Sequence, residues 1–127
     1  MSAPILDTTV LVHLQRKYQP ALTWFNQQNI VFAITSITWM EAMIGVANKQ
    51  MQERLLTFLD GFNLLNVTSE DQQWAMERIK QLQFSHHPRI NDTLIAAVAH
   101  RLQVPLYTHN LKHMKPLIGS LAAQPYT

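Results

Sequence analysis

Three of the eight carboxylates in this 127-residue chain, Asp7, Glu41 and Asp92, stand inside nearly uncharged stretches. Carboxylates about 5 Å apart at an effective dielectric near 20 repel by roughly 3 kcal/mol per pair, so a cluster must protonate, recruit a base or bind metal. The chain has no cysteine, which leaves only oxygen or histidine as metal donors. An all-oxygen set of Asp, Glu and Asn suits Mg2+ or Mn2+, ions that keep several waters and bridge to phosphate oxygens. Phosphodiester hydrolysis is the chemistry such a set performs. Each acid also has a structural reading: Asp7 as a turn or cap residue, Glu41 as part of a polar helix stripe, and Asp92 as a complement to a helix dipole. Spacing alone leaves both readings open.

The histidines and tryptophans point to less. His109 and His113 have the i, i+4 spacing of a zinc pair, but no acid stands in register and no H-E-x-x-H arrangement occurs. His100, among Ala99, Arg101 and Leu102, reads as a packed or rim residue, and His86-His87 before Pro88-Arg89 reads as a loop. Trp24, Trp39 and Trp74 fall in helical stretches and read as core or interface.

The elements that must position the acids follow from apolar runs and their punctuation. Pro4 to Asp7 reads as a short buried strand ending at an acid and running into a first helix. Pro20 to Asn29 reads as a helix with proline in its first turn, and Ile30 to Ile34 as a second buried strand. Ser36 is placed to cap a helix over Ile37 to Asn48, in which Thr38, Glu41, Gly45 and Asn48 form a polar stripe and the remainder is core. Met51 to Leu59 is helical and stops at Asp60-Gly61; Phe62 to Val67 is a third strand candidate. Thr68 to Asp71 offers a capped start for a long helix ending near His86-His87-Pro88. Ile90-Asn91-Asp92 opens a helix over Thr93 to Gln103, and Val104 to Thr108 is the last clear strand. Strands alternating with helices require crossovers, and crossovers impose a parallel sheet. The expected fold is α/β, a three-layer α/β/α sandwich with a central parallel sheet, formed as a single domain over residues 1–127.

Composition narrows the class. Hydrophobic residues make up 47% and charged residues 14%, which excludes intrinsic disorder. No apolar run reaches the roughly 18 residues of a membrane span, and the N-terminus lacks a signal-peptide pattern, so a cytoplasmic protein with no membrane partner is expected. The net charge of +2 allows nucleic acid without demanding it. Six of the ten basic residues, Arg78, Lys80, Arg89, Arg101, Lys112 and Lys115, lie in the last fifty positions, where any polyanion contact should be biased.

Four segments in order resemble the PIN domain family, and within it the small VapC-type toxins of bacterial toxin-antitoxin pairs. They are ILDTTVLV (Ile5 to Val12), ITSITWMEAMIG (Ile34 to Gly45), INDTLIAAVAHRLQVPLYT (Ile90 to Thr108) and THNLKHM (Thr108 to Met114). They bring in Asp7, Glu41, Asp92 and the position of Asn110, and they span most of the chain. The resemblance implies a metal-dependent endoribonuclease whose acids Asp7, Glu41 and Asp92 bind Mg2+ or Mn2+, with Asn110 orienting a water or a phosphate. On this reading Ser36 and Thr108 support the metal-binding acids, while Arg89, Lys112 and Lys115 contact the backbone of a structured RNA cleaved at unpaired loops. It also implies a cognate antitoxin protein and a homodimer.

This chain departs from the family pattern at four positions. Thr9 stands where Asn or Ser is usual, Asn110 where many members carry a fourth acid, His113 where others place an acid three residues later, and Met114 where Phe is preferred. Three formal negatives should hold a second metal less firmly than four. The alternative from another class is a catalytically weak or inactive PIN-like module that binds RNA or a partner without turnover. A receiver-type signalling domain fits poorly, because Asp7 has no acidic neighbour and the third strand candidate ends in Asn66-Val67-Thr68.

Overall fold

Short apolar strands and amphipathic helices alternate along the chain in a computed structural model that describes residues 3–127. In chain order the elements are β1 (Ile5–Leu6), α1 (Thr8–Gln15), α2 (Gln19–Gln27), β2 (Ala33–Thr35), α3 (Ser36–Ile44), α4 (Lys49–Leu59), β3 (Asn63–Leu65), α5 (Ser69–Leu82), α6 (Ile90–Leu102), β4 (Leu106–Tyr107), α7 (Leu111–Ile118) and β5 (Ala122–Ala123). The sheet has the order β3-β2-β1-β4-β5 with every neighbouring pair parallel. This is the three-layer α/β/α arrangement, and no helix among the described residues is long and apolar enough to cross a membrane.

The alternation of side chains along each strand divides the core in two. Ile5 and Ala33 pack with Ile95, Ala96, Val98 and Ala99 of α6 and with Met114 and Leu117 of α7. Leu6 and Ile34 face the other way, onto Val10, Leu11 and Leu14 of α1 and Leu55 and Leu59 of α4. The small residues of α6 are all buried, so this helix lies close against the sheet. Met114 is fully buried in this first cluster, where its flexible side chain packs among apolar neighbours.

Local chemistry explains most helix starts. Thr68 and Asp71 form a reciprocal capping box for α5, with Thr68 Oγ1 accepting from the Asp71 amide and Asp71 Oδ2 from the Thr68 amide. Asn48 caps α4 by accepting from the Met51 amide at 2.9 Å. The buried Asp71 also receives the half-buried Arg101 of α6 through two hydrogen bonds of 2.8 and 3.1 Å, a pair that fastens α5 to α6.

The structure corrects several expectations. The second strand covers Ala33–Thr35, and Ile30 and Val31 lie outside it, 51% and 57% exposed, because the chain pairs only once Phe32 has entered the core. Thr35, not Ser36, caps α3: its Oγ1 accepts from the Thr38 amide at 3.2 Å. That helix stops at Gly45 rather than continuing to Asn48, which belongs to the next cap. The expected polar stripe of α3 is also misread, since Thr38 is fully buried while Met40 and Ile44 face solvent. Helix α5 ends at Leu82, four residues before His86. Beyond Thr108 lie α7 and β5, two elements that the apolar pattern does not announce.

Candidate active site

The chain fills the sheet outward from β1 in one direction, to β2 and β3, and then returns to add β4 and β5 on the other side. That reversal makes a crevice beyond the carboxyl ends of β1 and β4. Asp7 is the first residue after β1, and its amide donates to the Tyr107 carbonyl of β4 at 2.9 Å. Thr108 is the first residue after β4. The two segments therefore leave the sheet side by side.

Their side chains are joined by hydroxyl groups. Thr108 Oγ1 donates to Asp7 Oδ2 at 2.7 Å and accepts from the Asn110 amide at 2.8 Å. Thr9 Oγ1 donates to the same Asp7 oxygen at 3.1 Å and accepts from the His109 amide at 2.9 Å. Asp7 is only 2% exposed. Burial pushes its carboxyl above the usual range, the Thr108, Thr8 and Thr9 hydrogen bonds pull it back in part, and the Asp92 charge adds to the rise.

A second relay holds Glu41. The Thr8 hydroxyl donates to Glu41 Oε1 at 2.7 Å, so at its 2.9 Å contact with Thr38 it must accept the Thr38 proton. Asn91 Nδ2 reaches Glu41 Oε2 at 3.3 Å from the first turn of α6. One residue on, Asp92 faces the same space with its Oδ2 buried and without a hydrogen-bond partner. Burial raises the Asp92 carboxyl, His113 and Arg89 oppose the rise, and Glu41 reinforces it. A buried carboxylate oxygen that no group of the protein satisfies is a place for a cation or a proton.

Asp7, Glu41, Asp92, Asn110 and Arg89 line one open pocket of about 440 Å³. Thr108 sits behind it. Ser36 does not reach it; its Oγ instead accepts from the Val67 amide and steadies the connection after β3. Lys112 lines an adjoining pocket, and Lys115 is exposed and lines neither. Asn110 Oδ1 accepts from His113 Nδ1 at 2.7 Å, which leaves the Asn110 NH2 free to donate.

Several residues at the site escaped the sequence reading. Thr8 and Thr38 carry the Glu41 relay and Asn91 adds to it, while His13 and Arg16 line the pocket together with His109, which the sequence offered only as one of an i, i+4 pair. Thr8 was within reach as the neighbour of Asp7, and Thr38 as the residue one turn before Glu41. His13 shares a T-shaped contact with His109 and bonds the Tyr126 hydroxyl through Nδ1 at 2.7 Å, contacts that no local pattern encodes. Burial, then His109 and Arg16, push His13 below its ordinary value.

The donor chemistry fits a hard divalent cation: carboxylate oxygens from three segments, one of them orphaned, and an amide alongside. Among the described residues no three Asp, Glu or His groups stand close enough to form a ready cage. An ion here would keep several of its waters, as Mg2+ does.

Comparison with known proteins bears on the family and the fold. A family model described as the PIN domain matches residues 5–114. A toxin-antitoxin complex from Klebsiella pneumoniae is similar at 26% identity and a TM-score of 0.80, with 98% of each chain covered. A DNA-bound VapBC from Salmonella typhimurium is similar at 22% identity and a TM-score of 0.81, again over 98% of each chain. FitAcB from Neisseria gonorrhoeae is similar at 18% identity and a TM-score of 0.78, covering 96% of this chain and 97% of that one. The last two show the fold alone. No curated protein matches the chain by sequence.

Proposed function

This chain belongs to the PIN domain family, and from that premise we propose that it is an endoribonuclease dependent on Mg2+ or Mn2+, the toxin of a VapBC-type toxin-antitoxin pair. The observation that carries the reading is the meeting of Asp7, Glu41 and Asp92, from three distant segments, around one pocket that holds an unsatisfied Asp92 oxygen. These three acids would hold the ion directly or through its waters. The chemistry a divalent ion supplies in such a place is neutralisation of charge on phosphate oxygens and acidification of water.

The remaining work falls to residues of the chain. Thr108 and Thr9 fix Asp7 by one oxygen, Oδ2, and so set the direction of the other. The Thr8–Thr38 relay holds Glu41 by one oxygen and points it at the pocket. Asn110, locked by His113 and by its amide bond to Thr108, directs its NH2 to a phosphate oxygen. Arg89 at the rim and Lys112 beside it contact the RNA backbone, and unpaired loops of a structured RNA are the cleaved regions because their bases can be splayed out.

The experiment incubates wild type, Asp7→Ala and Asp92→Asn with structured RNA, in Mg2+ and in EDTA. Cleavage by wild type in Mg2+ alone, absent from both folded variants, is the expected result. Cleavage that persists unchanged in EDTA, or in either folded variant, ends the proposal. RNA binding by wild type without turnover would instead establish the inactive PIN-like module, the reading that Asn110 in place of a fourth acid favours. A cognate antitoxin is the protein partner, and the apolar groove of about 580 Å³ lined by Leu14, Leu22, Leu55 and Phe58 suits an apolar segment of it. The exposed Met40 and Ile44 on α3 suit the contact of a homodimer.

A further inference from the structure

A second pocket, of about 490 Å³, opens beside the acidic one, and Arg89 lines both. Its other walls are Ser85, His86 and His87 from the turn after α5, and Lys112 and His113 from α7. No carboxylate lines it. Among the described residues neither Arg89 nor Lys112 has an ion-pair partner, whereas Arg101 and Lys80 each have one. Two permanent cations and three imidazoles thus face a shared space with no anion of the protein among them. Such a concavity concentrates anions, and guanidinium, ammonium and imidazole N–H groups together match the oxygens of a phosphate.

The boundary between the two pockets is fixed. His113 on the basic side donates to Asn110 on the acidic side, and Asp92 feels the charges of both His113 and Arg89. The acidic and the basic pocket therefore adjoin, with Arg89 lining both. A nucleic-acid strand presents a phosphate at every nucleotide, so a strand with one phosphate over the acids carries the next within reach of the neighbouring pocket. Metal-free, the acidic pocket repels a phosphate and the basic pocket is the one that attracts it.

We propose that the pocket formed by Ser85, His86, His87, Arg89, Lys112 and His113 binds the phosphate adjacent to the one that is cleaved. The substrate is then a strand with a phosphate on that side of the scissile bond, and a dinucleotide is a poor one. This rests on the nuclease reading for its biological use, but the anion site itself does not depend on catalysis.

The test has two arms. In the first, inorganic phosphate is titrated into the full chain in EDTA at one fixed pH, and the ring signals of the six histidines are followed by NMR. His86, His87 and His113 should shift together with one saturating Kd while His13, His100 and His109 stay in place. Lys112→Gln should weaken that Kd about tenfold, the loss of one charge-assisted contact, and Lys49→Gln, at the exposed start of α4, should leave it within a factor of two. Equal, non-saturating shifts of all six histidines, or an unchanged Kd in Lys112→Gln, overturn the proposal.

In the second arm, cleavage of a trinucleotide is compared with that of a dinucleotide in Mg2+. Wild type should show a higher kcat/KM for the longer substrate through a lower KM, and Lys112→Gln should lose most of that advantage. An equal advantage in the variant overturns the assignment of the pocket to the adjacent phosphate. If wild type cleaves no RNA at all, the nuclease reading fails while the phosphate titration still decides the anion site.

Discussion

Replacing Asp7 by Asn should stabilise the metal-free protein and abolish its stabilisation by Mg2+. The side chain is 2% exposed, and an ion removed from water to that extent costs several kcal/mol after relaxation. Hydrogen bonds from Thr108 and Thr9 offset part of the cost, each returning about 1.5–3 kcal/mol to a charged acceptor. The carboxyl is nonetheless shifted upward, with burial as the largest cause, so the balance stays against the charge. Asn keeps the shape and an acceptor for the two hydroxyls, and a net relief of about 1 kcal/mol follows. An unfolding entropy of about 2.1 cal/mol/K per residue over 127 residues makes 1 kcal/mol worth about 4 °C in Tm. In EDTA at pH 7, differential scanning calorimetry should therefore place Asp7→Asn about 4 °C above wild type. Mg2+ at ten times its Kd should raise wild type by about 1.4 kcal/mol, roughly 5 °C, and leave the variant where it was, so the order reverses. Acid supplies the sign control. A carboxyl whose folded value lies above its unfolded one burdens the fold at pH above the folded value and ceases to do so as it protonates. The advantage of the variant in EDTA should shrink as the pH is lowered towards 4. A variant less stable than wild type in EDTA, or stabilised by Mg2+ to the same extent, refutes the reasoning.

Arg101→Ala leaves the buried Asp71 carboxylate without its guanidinium and should cost about 3 kcal/mol at pH 7 by urea unfolding. Burial alone would raise Asp71, yet the Arg101 and Thr68 hydrogen bonds outweigh it and hold the carboxyl below the ordinary range, so the contribution of the pair is present above that range and fades as acid protonates Asp71. Asn110→Asp preserves an acceptor for His113 Nδ1 and adds a fourth negative charge; calorimetric titration should show Mn2+ bound about tenfold more tightly, and an unchanged affinity would mean that position 110 does not face the ion. Gly119→Ala meets open space but forces a side chain to φ +58°, so thermal unfolding should register a loss of about 1–2 kcal/mol from backbone strain alone.

Much of the fold was legible because local chemistry and connectivity agree. Thr68 and Asp71 announce α5 through a box that needs only four residues, and the alternation of strands with helices leaves a parallel sheet as the sole economical arrangement. The errors fall where tertiary contacts decide. Ile30 and Val31 have the composition of a buried strand but precede the point where the chain meets β1, and β-branching does not itself confer burial. In α3 the polar Thr38 lies inside and the apolar Met40 and Ile44 outside, because the Thr38 hydroxyl is committed to Thr8 across the helix pair. A helical stripe read by polarity cannot anticipate a buried hydroxyl relay. Helix α7 carries Pro116 in its interior and β5 is two residues long, so neither presents the signal by which such elements are read.

The three acids that line the pocket could be picked out of the sequence, whereas their wiring could not. Topology alone delivers a residue after β1, one in the helix after β2 and one at the start of α6 to the same edge of the sheet, which is why isolated acids at those places were informative. What topology does not deliver is how each oxygen is engaged. Glu41 is held at both oxygens, by Thr8 and Asn91, and Asp7 is held at one oxygen by two hydroxyls, whereas Asp92 keeps an oxygen free of any partner. The capacity of the pocket for an ion is thus unevenly distributed: a cation settling beside Asp92 gains the most, because there it satisfies an atom that the protein leaves bare. Near Glu41 it must compete with hydrogen bonds already made. On the metal-dependent reading, three acids so engaged would hold one ion more readily than two, since Asn110, neutral and locked to His113, adds no charge for a second.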